Sequence, residues 1–259
     1  MHLIISALLG TAGLFVGMLV CLEIGRRIGV RRLANDPTGA TVGVGAVEGA
    51  VFGLLALLVA FTFSGAAARF DTRRQLIVEE TNDIGTAYLR LDLLPSAAQP
   101  PLRERFRHYV TARLAVYRQL SDVAAATAAL GRVAALQAEI WTQAIAGSRE
   151  IDAHPDVAKL LLPALNTMFD ITTTRTVALQ THPPMIIFAM LFVVALAGAL
   201  LAGHGLAGSK RRNWFHMVGF ALIITVAVYV ILDLEFPRFG LVRIEAFDQA
   251  LVDLLRSMQ

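Results

Sequence analysis

The chain has 259 residues, a formal net charge of +3, 56% hydrophobic residues and a mean hydropathy of +0.62. A soluble globular domain is about 45–50% apolar, and the excess here is unevenly spread, which argues against a soluble globular class; so small a charge without a basic cluster argues against a nucleic-acid binder. The lone cysteine, Cys21, rules out an internal disulfide.

The apolar excess sits in four blocks. Residues 3–22 form an uncharged run that contains Cys21, read as a small hydrophobe within a helix. A spanning helix needs about 20 mostly apolar residues. No basic stretch precedes this run and arginines follow it, so it reads as a retained span rather than a cleaved signal. The link behind it carries Arg26, Arg27, Arg31 and Arg32, then a turn-like Asn35-Asp36-Pro37. Residues 42–68 form a second span with one charge, Glu48; 184–206 form a third, holding His204; 215–232 form a fourth, ending at Asp233. The short third link carries Lys210, Arg211 and Arg212, so seven basic residues lie in the first and third links. Six lie near the span ends on the other side: Arg69, Arg73, Arg74, Arg175, Arg238 and Arg243. Positive charge favours the cytoplasmic side, and seven against six leaves the orientation open.

The long second link is helical. Residues 70–94 continue from the second span without a breaker until Pro95, and 95–101 read as a loop. Beyond Pro101 the residues Leu102, Phe106, Tyr109, Val110, Tyr117 and Leu120 follow helical spacing. Residues 121–145 are alanine-rich, with strong helix propensity. His154-Pro155 marks a boundary, because a residue before proline avoids helical geometry. Val157, Leu160, Leu161, Leu165, Met168 and Phe169 then line one face of a further helix, which runs towards His182-Pro183-Pro184. No strand and no repeat is evident. At the end, 244–258 carry Ile244, Phe247, Leu251, Leu254 and Leu255 on one stripe, an amphipathic helix. The expected fold is all-α: a polytopic membrane protein with four transmembrane helices and a helical extramembrane domain. Its parts are 1–68 (spans one and two with the basic link), 69–183 (the helical domain) and 184–234 (spans three and four). The remainder, 235–259, is a turn and an amphipathic helix that packs on the helical domain.

Catalytic patterns are missing, and no cofactor, metal or catalytic residue is assigned. Gly43-Val-Gly45-Ala-Val-Glu48-Gly49 superficially resembles a dinucleotide loop, but its third glycine falls late and no strand precedes it. The six histidines are scattered, without paired metal spacing. The early charges of the middle domain, Asp71, Arg73, Arg74, Glu79, Glu80, Asp83, Arg90 and Asp92, admit two readings. One is a solvated face with helical ion pairs; the other is an ion vestibule or intersubunit network.

The second span carries most information. Gly45, Gly49 and Gly53 recur every four residues, and Leu57 and Phe61 extend the stripe. The stripe serves either close helix packing or a pore surface, where bulky apolar residues narrow the path and gate by dewetting. Glu48 is the one acidic residue within a span, where a charge costs at least about 2.5 kcal/mol at the helix centre and less near the ends. It lies opposite Leu57 on a helical wheel, so if Leu57 lines a pore, Glu48 turns to a neighbouring helix as a packing or gating partner.

The stretch Leu57-Leu-Val-Ala-Phe61-Thr-Phe-Ser64-Gly-Ala-Ala-Ala-Arg69-Phe70-Asp-Thr-Arg73 resembles the end of the second membrane helix of bestrophins. His182-Pro183-Pro184 resembles the proline-containing start of their third helix, and Leu234-Glu235-Phe236-Pro237-Arg238-Phe239-Gly240 the acidic-Pro-Phe-Gly turn after their fourth. Glu48-Gly49-Ala50-Val51-Phe52-Gly53, with Arg74 and Glu79-Glu80-Thr-Asn82, is closer still to an uncharacterised bacterial and plant bestrophin-like family. The resemblance implies a homo-oligomeric, pentameric ion channel in the bacterial inner membrane, selective for chloride or another small anion. It implies pore-lining positions at Gly53, Leu57, Phe61 and Ser64, with glycine replacing a bulky residue at the first neck position. It implies gating or packing roles for Glu48, Arg69, Phe70, Glu79, Glu80, Asp233, Glu235 and Arg238, and a cytoplasmic middle domain. A calcium clasp is not expected, because the turn is followed by Leu241, Val242 and Arg243, and calcium takes six to eight oxygens. The partners implied are the chain's own copies, membrane lipid and the permeating ion, with no nucleic acid. A non-conducting scaffold, whose glycine stripe serves packing alone and whose middle domain binds a partner, stands as the alternative.

Overall fold

A computed structural model describes residues 2–36, 44–119, 123–208, 212–236, 241–242 and 245–258. Among them the regular structure is helical: α1 His2–Asn35, α2 Val44–Leu89, α3 Gln99–Arg118, α4 Val123–Ser148, α5 Val157–Gln180, α6 Met185–Gly205, α7 Trp214–Glu235 and α8 Glu245–Ser257. Four helical stretches are long and apolar enough to cross a membrane.

Prolines set several of the boundaries. Leu94, ahead of Pro95, is forced into extended geometry (φ −81°, ψ 156°), and the chain before it tightens into a 3-10 turn at Arg90–Leu93. α3 begins at Gln99, earlier than the loop expected over 95–101. Pro100 and Pro101 fit within its first turn, where no N–H partner is needed. Pro184 caps α6, and Asn213 caps α7 by accepting from the His216 N–H. α1 does not stop where its apolar run ends. It carries Arg26, Arg27, Arg31 and Arg32 on to Asn35, so most of the expected first link is helix.

The chain divides into two compact units. The first comprises 1–70 and 182–242 and holds α1, the first part of α2, α6 and α7. Its core includes Met18, Leu22, Leu55, Ala66, Leu191, Ala199 and Val228. The α1–α6 crossing is very close. A Cβ on Gly25 would stand 1.9 Å from the Leu200 carbonyl oxygen, one on Gly203 would stand 2.0 Å from that of Leu22, and one on Gly29 would meet Ala207 at 2.5 Å. Small residues at such a seam let backbones approach where lipid supplies no hydrophobic drive between helices. The outer faces stay oily: Phe215 is 84% exposed and Ile223 69%.

The second unit comprises 71–181 and 243–259 and holds the remainder of α2 with α3, α4, α5 and α8. Phe106, Tyr109, Ile140, Leu161, Leu165 and Met168 form the centre of its core. α8 contributes the buried Leu251, Met258 just beyond it is also buried, and the Met258 carbonyl accepts from Tyr88 and Arg107.

The seam yields a test. Gly25→Val or Gly203→Val should destabilise the protein by at least about 3 kcal/mol, the upper range of overpacking. The expected readout is loss of the monodisperse peak in detergent gel filtration. Gly49→Ala, which adds its methyl to open space, should leave that peak in place.

Candidate functional site

The first feature is an open face of α2. Gly53, Leu57, Phe61 and Ser64 are all exposed, with Leu57 at 50% and Phe61 at 68%. A Cβ added at Gly45, Gly49 or Gly53 would meet nothing within 4 Å. Among the described residues, then, nothing packs closely on this stripe. The glycines that do pack closely are Gly25, Gly29 and Gly203, missed in the sequence although Gly25 and Gly29 share the same four-residue spacing. α2 joins the core of its unit by another side, through the buried Leu55 and Ala66, and through Phe52, which meets Phe220 edge-on at 6.1 Å.

Glu48 lies away from the open face, as the wheel required. Its carboxylate oxygens stand 3.4 Å from where a Cβ on Gly205 would be, and Oε1 lies 4.0 Å from His204 Nδ1. Glu48 Oε1 and His204 Nε2 are buried without a hydrogen-bond partner. His204 is the neighbour that sequence could not supply, because 156 positions separate the two.

The second feature joins the ends of α2 and α7 in the first unit. Arg69 grips the fully buried Glu235 with two groups: Nε lies 3.1 and 3.0 Å from its two oxygens, and Nη2 donates at 2.8 Å. His182 Nδ1 lies 2.9 Å from Glu235 Oε1, and the His182 ring stacks on Phe236 at 4.7 Å. Two-pronged guanidinium–carboxylate pairing is strong and directional. Asp233 accepts from the backbone N–H groups of Leu241 (3.0 Å) and Val242 (2.8 Å), which holds the chain after α7. Phe70 is half-buried. Arg69 and Glu235 thus link α2 to α7, Asp233 links α7 to the chain after it, and His182 joins Glu235 although only its motif had been noted. Arg238 lies outside the described residues.

The third feature belongs to the second unit. Glu79 and Glu80 are adjacent on α2 and face opposite ways: Glu79 is exposed, and Glu80 is fully buried. Glu80 accepts from Arg113, Arg175 and the Tyr117 hydroxyl, and both guanidinium groups lie over the Tyr117 ring. The reading of 71–92 as a solvated face needs correction here. Asp71 and Arg74 do pair in solvent at 3.1 Å, but Glu80 is core, and so is Arg73, which donates to the Ala178 and Thr181 carbonyls at the end of α5. Arg113 and Arg175 were missed because they come from α3 and α5, far along the chain.

Burial pushes the Glu80 carboxyl up, but Arg175 and Arg113 outweigh it and hold it below its ordinary value of 4.5. Burial raises the Tyr109 and Tyr117 phenols, so both stay neutral. Asp83 is raised above 3.8 by burial and by Glu79 and Glu80. Depression of Glu80 adds stability that is present above 4.5 and lost as pH falls from there through its folded value. Asp83 has the opposite sign and offsets part of that loss. Glu80→Gln leaves two buried guanidinium groups without a counter-charge and should cost about 3–5 kcal/mol. Thermal unfolding of the detergent-solubilised variant should show that loss at pH 7, and little further loss on acidification.

Among the described residues, no group of three or more His, Cys, Asp or Glu could hold a metal ion. A family profile for a bestrophin-like domain matches residues 12–246. No curated protein and no solved structure matches the chain. With four membrane-length apolar helices and a profile match over nearly its whole length, the chain is a polytopic membrane protein that belongs to the bestrophin-like domain family.

Proposed function

We propose that the protein is an oligomeric ion channel of the cell membrane, five copies of α2 surrounding the path and anions crossing it. One observation carries the reading: an exposed face on α2, at Gly53, Leu57, Phe61 and Ser64, that nothing among the described residues of its unit covers. Leu57, Phe61 and Ser64 on that face are spaced by four and then three residues. Such spacing keeps one seam of a helix turned to neighbouring copies around a common axis. The glycines at 45, 49 and 53 leave room, and Leu57 and Phe61 fill it, so the narrow part of the path is apolar and gates by wetting and dewetting. In the second unit α2 exposes the polar Asp71, Thr72, Gln75, Glu79, Asn82 and Thr86 beside the apolar Val78 and Leu89. A water-filled stretch beside an apolar neck asks for that change of composition. Kinship with bestrophins supports ion conduction and, more specifically, the pentamer, the small anion and a bacterial inner-membrane location.

The purified protein in liposomes should pass chloride. Shrinking Leu57 and Phe61 to alanine should raise the flux several-fold, and enlarging either to tryptophan should lower it. Native mass measurement in detergent should give five chains. A monomer or dimer, with no flux from any variant, would instead establish the non-conducting scaffold.

A further inference from the structure

α1 is longer than a bilayer requires. Its 34 residues span about 51 Å at about 1.5 Å per residue, against a hydrocarbon core about 30 Å thick. The uncharged run ends at Leu22, so the turns from Glu23 onward pass through the headgroup layer. The start of α7 marks the same depth independently. Arg212 reaches Glu23 at 2.9 Å, and Trp214 and Phe215 just beyond it are exposed. Exposed aromatic rings gather at the membrane–water boundary.

One exposed face of α1 runs through that boundary without a break. Val16, Val20, Ile24 and Ile28 follow at four-residue steps and all are exposed; Arg27 and Arg31 stand one turn apart on the same side. Arg27 gives its Nε to Glu23 at 2.8 Å, and no described residue accepts from its two terminal nitrogens. Arg31 and Arg32 are exposed, with no acidic partner among the described residues. Between 23 and 36, Arg26, Arg27, Arg31 and Arg32 stand against two carboxylates, Glu23 and Asp36, and Glu23 is shared with Arg212.

We propose that this face binds one anionic glycerophospholipid, with an acyl chain along Val16, Val20 and Ile24 and the phosphate at Arg27 and Arg31, Arg32 flanking it. A guanidinium takes a phosphate through two parallel N–H bonds, and its stem lies along apolar surface while its head reaches the polar layer. A zwitterionic headgroup brings its own cation against arginines already in excess; a glycerol headgroup does not. Free phosphate would engage the arginines and leave the apolar row uncovered. The site lies on α1, within the first unit, and does not depend on the channel reading.

The test is thermal unfolding of the full chain in a neutral detergent with dioctanoyl phosphatidylglycerol, dioctanoyl phosphatidylcholine or sodium phosphate at equal ionic strength. Phosphatidylglycerol at about ten times its dissociation constant should raise the unfolding temperature by about 4 °C, and the other two should not. Arg31→Gln with Arg32→Gln, which breaks no contact among the described residues, should weaken binding about thirty-fold and remove the rise. Arg132→Gln with Arg149→Gln, which deletes two exposed charges from the second unit, should retain it. An equal rise with phosphatidylcholine would overturn the proposal in favour of an unselective lipid belt. An equal rise with sodium phosphate would overturn it in favour of a free-phosphate site. A rise that persists in the Arg31→Gln, Arg32→Gln variant would place the lipid elsewhere and overturn it as well.

Discussion

The α1–α6 seam is the contact on which the membrane unit depends. In water a helix pair gains from hiding its apolar surface; in lipid that gain vanishes, because hydrocarbon is as apolar as leucine. What remains is dispersion between closely fitted surfaces, and such fit requires backbones to approach. Gly25, Gly29 and Gly203 provide the approach, since a single Cβ at the first or last would collide with a carbonyl. α7 completes the core with Met217, Ala221, Val228 and Ile231. α2 adds to that core from one side and keeps its other side open.

The open side is what distinguishes α2 from an ordinary packed span. A helix that buried all its faces within the protomer could not contribute to an assembly axis. The glycine stripe at 45, 49 and 53 has the composition of a packing surface but packs against nothing among the described residues. Its bulky continuation at Leu57 and Phe61 is likewise uncovered. Small residues followed by bulky apolar ones are what the proposed conduction path would require: room, then one constriction.

Charge is handled differently in the two units. In the first, the arginine at the end of the second span is tied to Glu235, so its charge is neutralised where it stands and His182 and Phe236 are held beside it. In the second, Glu80 gathers arginines from α3 and α5 and so orients three helices around one carboxylate. Such a network adds little net stability compared with an apolar core, because desolvation consumes most of the attraction. Its effect is directional.

Much of the architecture was legible from composition and order. Four apolar runs, an alanine-rich stretch and well-placed prolines suffice to define membrane spans and helix ends, because these depend on local hydropathy and backbone geometry. The family likeness was legible as well, from short motifs in a conserved order along the chain. The open face of α2 was half legible: its residues stood out, but its lack of partners in the protomer is a property of packing. Glu80 was seen as a charge near the membrane and not as a core residue, since nothing local separates it from the exposed Glu79 beside it. The partners of Glu80, like those of Glu48 and Glu235, come from distant parts of the chain. Hydropathy determines that a segment must leave water. Only the tertiary structure decides which side of it meets a neighbour, because that choice rests on contacts between residues far apart in the chain, 33 positions for Glu80 and Arg113 and 166 for Arg69 and Glu235.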